Sequence, residues 1–167
     1  AGVHVGLLIC EDAWFEEPAR LAKEAGAEVL AVINASPFHV GKGGERVARM
    51  AERTRATGLP LVYAHLVGGQ DEVVFEGHSF ALDSDGTVAG RAPSFKENSF
   101  LALVESTQAT MKIIAKVEPV RTPEQDLWDA LVLGVRDYVG KNGFPGAILG
   151  LSGGIDSALV LTIAVDA

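Results

Sequence analysis

The chain has 167 residues, 48% hydrophobic and 22% charged, which excludes disorder over most of its length because there is ample apolar side chain to bury. Twenty-two acidic against 14 basic residues leave a net charge of −8, the wrong sign for a protein that grips a nucleic-acid backbone through a basic footprint. No uncharged run reaches the roughly 18 apolar residues of a membrane helix. The first cation is Arg20, so no basic leader is expected. The one cysteine, Cys10, rules out an internal disulfide and points to a reducing compartment, the cytosol.

Residues 3–9, VHVGLLI, read as a mostly buried strand. A short turn is expected near Asp12 to Trp14, then a helix from Pro18 to Ala25, with proline at its first position and Gly26 as its stop. Residues 28–33, EVLAVI, do not alternate and predict a second strand buried on both faces. Residues 34–44 are loop chemistry. Glu45 to Thr57 reads as a helix with Val47, Met50 and Ala51 on one face, ended by Gly58 and Pro60. Residues 61–67 form a third strand, and the strand–helix alternation predicts an α/β fold.

After Gly68 and Gly69 the pattern changes. Residues 78–83 and 87–91 flank Ser84-Asp85-Gly86 as a hairpin, and short strands are expected near 100–105 and 111–117. Two prolines and four charges mark 118–126 as a linker. Leu127, Leu131, Val135, Tyr138 and Val139 then make an apolar stripe at helical spacing. A turn at 142–146, a strand at 147–151, a glycine loop and a helix from near Ile155 follow. Residues 1–117 are thus expected to form part of one domain and 127–167 to begin a second, too short to bury a sufficient core alone. The chain opens almost directly on an apolar run and closes inside an apolar helical stretch without a stop signal, which predicts an internal segment of a longer protein.

Residues 150–157 read GLSGGIDS between an apolar strand and a helix. Gly153 and Gly154 would let backbone N–H groups approach an anion, Ser152 and Ser157 add hydroxyls, and the helix start favours negative charge. Asp156 would repel a phosphate directly and is assigned to Mg²⁺ carried on the phosphates. The loop has no GxxxxGK[ST] and no lysine after its glycines. The alternative is a tight strand-to-helix turn built from small residues. Cys10 ends a strand, where a thiol can be presented and the following N–H groups can serve an oxyanion. The alternative is a buried small hydrophobe. His4, His39, His65 and His78 are scattered and read as structural or exposed, without metal-ligand spacing. Glu11 and Asp12 read as acids stabilising the start of a helical turn.

GLSGGIDS resembles the SGGxDS pyrophosphate loop of ATP pyrophosphatases. GLLICEDAWFEEP resembles the cysteine segment of the nitrilase superfamily, whose members hydrolyse amides with a Glu–Lys–Cys triad. Together with NASPFHVGK at 34–42, VGGQDEVVFEGHSF at 67–80 and GFPGAILGLSGGIDSAL at 143–159, the chain is similar to the glutamine-dependent NAD⁺ synthetase family over nearly its whole length.

That resemblance implies the end of a nitrilase-like α-β-β-α sandwich, followed by the first elements of a doubly wound parallel-sheet ATP-pyrophosphatase domain. It implies a ligase that uses ammonia from glutamine to amidate ATP-adenylated deamido-NAD⁺. Cys10 aligns with the nucleophile, Ser36 and Lys42 with glutamine-binding positions, and Gly150, Leu151, Ser152, Gly153, Gly154, Ile155, Asp156 and Ser157 with the ATP loop, Asp156 also with the metal position. The implied ligands are glutamine, ATP, deamido-NAD⁺ and Mg²⁺, and the implied assembly is a homo-oligomer, with no nucleic-acid or membrane partner. The family's catalytic Glu and Lys lie before its cysteine and match no position here. Two other readings stand beside this one: another glutaminase-coupled ATP-pyrophosphatase amidotransferase, and a non-catalytic folding or interface module.

Overall fold

A computed structural model describes residues 2–106 and 111–167. The first strand, β1 (Val5–Ile9), runs into a single 3₁₀ turn over Cys10–Trp14, then α1 (Glu16–Glu24), β2 (Val29–Asn34), α2 (Lys42–Thr57) and β3 (Leu61–His65). Two hairpin strands follow, β4 (Val67–Gln70) and β5 (Val73–Glu76), then β6 (Phe80–Leu82) and β7 (Val88–Arg91) around the expected Ser84-Asp85-Gly86 turn. β8 (Ala102–Ser106) and β9 (Met111–Ala115) pair with each other, and α3 (Pro123–Lys141) and α4 (Ile155–Asp166) complete the chain.

The fold is α/β. Its five-stranded sheet has the order β1-β2-β3-β6-β7, parallel across the first three strands and antiparallel beyond. α1 and α2 cover one face, where Leu8, Leu30, Val32, Met50, Leu61, Tyr63, Phe80 and Leu82 form the core. Tyr63 stacks on Phe80 with ring centroids 4.7 Å apart. Gly6 makes the helix layer possible: a Cβ there would come within 2.9 Å of Ala22 Cβ and 3.0 Å of Ala27 Cβ.

The opposite face is bare. β1 alternates, with Val5, Leu7 and Ile9 each more than half exposed, and Ile33 of β2 is 47% exposed. The expectations of a mostly buried β1 and of a β2 buried on both faces are therefore corrected. Their unbroken hydrophobicity is real, but only one layer of helices lies on them among the described residues.

Three boundaries also move. α1 begins at Glu16, two residues before Pro18, because the chain leaves the 3₁₀ turn directly into it. Pro123 to Asp126, expected in a linker, are the first turn of α3, capped reciprocally by Thr122 and Gln125. The segment 147–151 forms no strand: it has no ladder partner among the described residues, and a strand needs one to satisfy its backbone.

The apolar stripe on α3 is the largest correction. Leu127, Leu131 and Tyr138 are exposed, whereas Ala130, Val132 and Leu133 are buried. α3 packs on the β4–β5 hairpin, with Ala130 and Leu133 against Phe95, Phe38, Val67 and Val74. The approach is close because both sides are glycine: a Cβ on Gly69 would lie 3.3 Å from Gly134 Cα. Asp137 accepts a 2.7 Å hydrogen bond from the Gly69 N–H, and Lys141 donates to the Gly69 carbonyl at 2.5 Å. Leu133, the polar clips and the paired glycines hold this face inward, and the stripe of Leu127, Leu131 and Tyr138 stays out.

Candidate functional site

Parallel strands deliver their C-terminal ends to one edge of the sheet, where open α/β sheets commonly hold ligands. Ile9 is in register with Ile33, and Asn34 with His65, so the residues that follow β1, β2 and β3 meet there. They line an open depression of about 480 Å³ formed by Ile9, Cys10, Ile33, Asn34, Ala35, Ala64, His65 and Leu66. Cys10 is half-buried at its rim, the first residue after β1, with φ +50°. A non-glycine residue held left-handed costs of order 1–3 kcal/mol and marks a position where the surroundings fix an unusual side-chain direction. Asp12 supports the turn as expected: its Oδ2 accepts the Ile9 N–H at 3.0 Å.

Behind the depression lies a polar cluster that sequence reading missed. Arg46 and Glu76 form a buried ion pair, each side chain under 5% exposed. Arg46 Nη2 also donates to Ser36 Oγ at 3.1 Å, and Asn34 Nδ2 donates to the same oxygen at 2.9 Å. His65 places Nε2 3.1 Å from the Ser36 carbonyl and Nδ1 2.9 Å from the Gly77 carbonyl. Burial first, and Arg46 second, hold its pKa below the ordinary histidine value, so the ring is neutral near pH 7. Both nitrogens face backbone carbonyls, and the neutral ring has one N–H to donate, so His65 ties down one of the two carbonyls at a time. Burial raises the Tyr63 phenol above its ordinary range, against the pull of Arg46. A signal for this cluster was present: Arg46 and Arg53 sit at i−4 and i+3 from Met50, on the buried face of α2. Arginines at core spacing are seldom buried unless paired.

The structure brings Ser36 next to Ala35 on the lining, but neither Ser36 nor Lys42 itself lines the depression. Lys42 opens α2, pairs with Glu45 at 2.9 Å and sits 4.4 Å over the Trp14 ring. It is thereby tied to the turn that carries Cys10. His4 and His39 are exposed. His78 lines a separate cavity of about 340 Å³ with Gly43, Arg91 and Arg121.

The glycine loop is on the surface at the start of α4. Gly153 has φ +85°, a conformation that glycine adopts without strain. Ser152 Oγ lies 3.0 Å from Ser157 Oγ, the Ser157 hydroxyl donates to the Gly154 carbonyl at 3.0 Å, and the Gly154 N–H donates to Ser152 Oγ at 3.4 Å. The two serines thus hold the loop against the first turn of the helix, where Asp156 is exposed. Among the described residues no group of three or more His, Cys, Asp or Glu could hold a metal ion. A lone carboxylate suits a cation that arrives already bound to phosphates, since Mg²⁺ uses one or two carboxylates and keeps its other oxygens from phosphate and water. No helix among the described residues is long and apolar enough to cross a membrane.

The segment that sets a cysteine at the ends of these parallel strands, residues 1–113, matches the carbon-nitrogen hydrolase family, to which the chain belongs. Residues 127–167 match the NAD synthase family. The glutamine-dependent NAD(+) synthetase of Xanthomonas campestris pv. campestris is 47% identical over 99% of this chain and 30% of its own length. The solved glutamine-dependent NAD+ synthetase of Acinetobacter baumannii, in complex with ADP, superposes with a TM-score of 0.90 at 41% identity, over 98% of this chain and 31% of that one. An amidase from Nesterenkonia sp. AN1, with acrylamide added at its active-site cysteine, gives a TM-score of 0.51 at 27% identity, over 56% of this chain and 36% of its own. The chain thus spans about three tenths of the length of the curated relatives it matches.

Proposed function

We propose that this chain carries the glutaminase nucleophile and the ATP loop of a glutamine-dependent NAD⁺ synthetase. The observation that carries the reading is the joint presence of Cys10, left-handed at the end of β1, and the SGGIDS loop at the start of α4, in a chain resembling such synthetases across both segments.

Cys10 Sγ attacks the side-chain amide carbon of glutamine, and a general base takes the thiol proton. The C–N bond breaks, ammonia leaves and a glutamyl thioester remains. Water then hydrolyses the thioester to glutamate and frees the thiol. The base and the cation that steadies the oxyanion correspond to the Glu and Lys that the family places before its cysteine. Ser36 and Lys42 bind the amino-acid portion of glutamine. At the second site the backbone N–H groups of Gly153 and Ile155 would hold ATP phosphates, and Asp156 would hold the Mg²⁺ that comes with them. A carboxylate oxygen of deamido-NAD⁺ attacks the α-phosphorus and pyrophosphate leaves. Ammonia then adds to the acyl-adenylate carbon, expelling AMP and forming the amide. A free thiol fits a reducing cytosol, and the resemblance to the nitrilase superfamily implies a homo-oligomer.

The test is Cys10→Ala in the full-length protein. Glutamine-driven NAD⁺ formation should fall at least a thousandfold, while formation driven by added ammonium chloride continues. Retained glutamine-driven synthesis would remove Cys10 from the mechanism.

A further inference from the structure

We propose that Arg46 is a positioning residue which, with Asn34, turns the Ser36 hydroxyl into an obligate hydrogen-bond donor toward the substrate. This inference rests on the glutaminase reading above.

A serine hydroxyl has one proton to give and two lone pairs to fill. At Ser36 both lone pairs are occupied, one by Arg46 Nη2 at 3.1 Å and one by Asn34 Nδ2 at 2.9 Å. Neither donor can accept a proton in return: a guanidinium has no acceptor, and the carboxamide presents its nitrogen. The Ser36 proton therefore remains for an acceptor outside this pair, an amino-acid carboxylate or an amide carbonyl, and an ammonium group, which can only donate, is disfavoured there. One of the two donors is charged, which strengthens the bond and polarises the hydroxyl further.

The arrangement is rigid. Arg46 is 2% exposed and is fixed from the far side by Glu76. Asn34 is the last residue of β2, paired with His65 of β3, and His65 in turn reaches the Ser36 carbonyl. Ser36 is thus restrained at its hydroxyl and its carbonyl by residues from two strands and a helix. A buried ion pair is weak evidence for stability, since apolar residues can often replace one without loss. Its use here is to aim a hydroxyl.

The experiment uses the full-length protein and glutamine as the probe. Arg46→Lys keeps the charge opposite Glu76 but removes the planar fork that reaches Glu76 and Ser36 together. It should raise KM for glutamine at least tenfold with kcat within threefold. In a Ser36→Ala background the same change should raise KM less than twofold, because the hydroxyl it aims is gone. Asn34→Asp reverses the polarity of the second partner, gives the Ser36 proton an acceptor inside the protein, and should reproduce the rise in KM. It serves as the reading should Arg46→Lys not fold. An unchanged KM in either folded variant, with or without a lower melting temperature, makes the cluster merely structural and overturns the proposal, as does full additivity with Ser36→Ala. A wild-type protein that releases no glutamate from glutamine overturns the functional reading itself, an outcome distinct from a wild-type protein that does so with an indifferent Arg46.

Discussion

His65 and His78 are both held neutral in the fold, His65 by burial and then Arg46, His78 by burial and then Arg91. A pH unit or more above the ordinary histidine value of about 6.5 neither state carries a proton on these rings, and stability is indifferent to them. Below that value the unfolded chain takes up protons that the native rings refuse, so stability falls until the lowered native pKa values are reached. While only the unfolded ring is protonated, each histidine costs about 1.4 kcal/mol per pH unit. Urea unfolding at pH 8.5, 7.5 and 5.5 should show a flat upper interval and a falling lower one, and His78→Gln should make the lower interval shallower. A midpoint that rises on acidification would contradict the assignment of neutral rings. At this scale the sequence was legible where chemistry is local: Cys10 at a strand end, Asp12 on its turn, Gly153 in the loop before α4. Arg46 and Glu76, 30 residues apart in sequence, were not, because only the folded sheet brings them together.

Gly6 shows how one missing side chain sets the spacing of an element. With Ala22 Cβ already 2.9 Å from where a Gly6 Cβ would stand, Gly6→Ala must push α1 off the sheet or shift β1. Overpacking of this kind costs about 1–3 kcal/mol, and the loss should appear in urea unfolding as a lower midpoint with an unchanged slope. An unaltered midpoint would show that α1 yields freely. The periodic elements were readable because their cores are close in sequence: α1 and α2 each bury a face against strands one element away. α3 misled because its longest apolar stripe is not its packed face. Gly134 and Asp137, small and polar, approach β4 instead, and no hydrophobicity pattern signals a glycine–glycine contact. The hairpin β4–β5 went unread for a related reason: its turn passes through Asp71 at φ +51°, where no glycine marks the reversal.

At the scale of the whole molecule, the bare face of the parallel strands dominates. Val5, Leu7, Ile9 and Ile33 present a continuous apolar surface, and Leu159, Val160 and Val165 of α4 add exposed hydrocarbon elsewhere. Surfaces of that kind bind hydrophobic dyes or associate. The 167-residue polypeptide alone should therefore bind anilinonaphthalene sulfonate strongly, and Leu7→Thr with Ile33→Thr should weaken that signal by at least half while leaving urea stability within about 1 kcal/mol, since neither side chain is in the core. Undiminished dye binding would place the hydrophobic surface elsewhere. The α/β order was visible from alternating strands and helices, but the exposed second face was not. Runs such as VLAVI look the same whether one layer covers them or two, because composition records the apolar side chain and not its neighbour.

The position of Cys10 has a practical corollary. With no second sulfhydryl anywhere in the sequence, a maleimide fluorophore, a spin label or a mercury atom offered to this polypeptide has a single covalent address, at the mouth of the strands. The reporter placed there would need no prior removal of competing thiols, and its emission or line shape would register whatever enters the depression beside it.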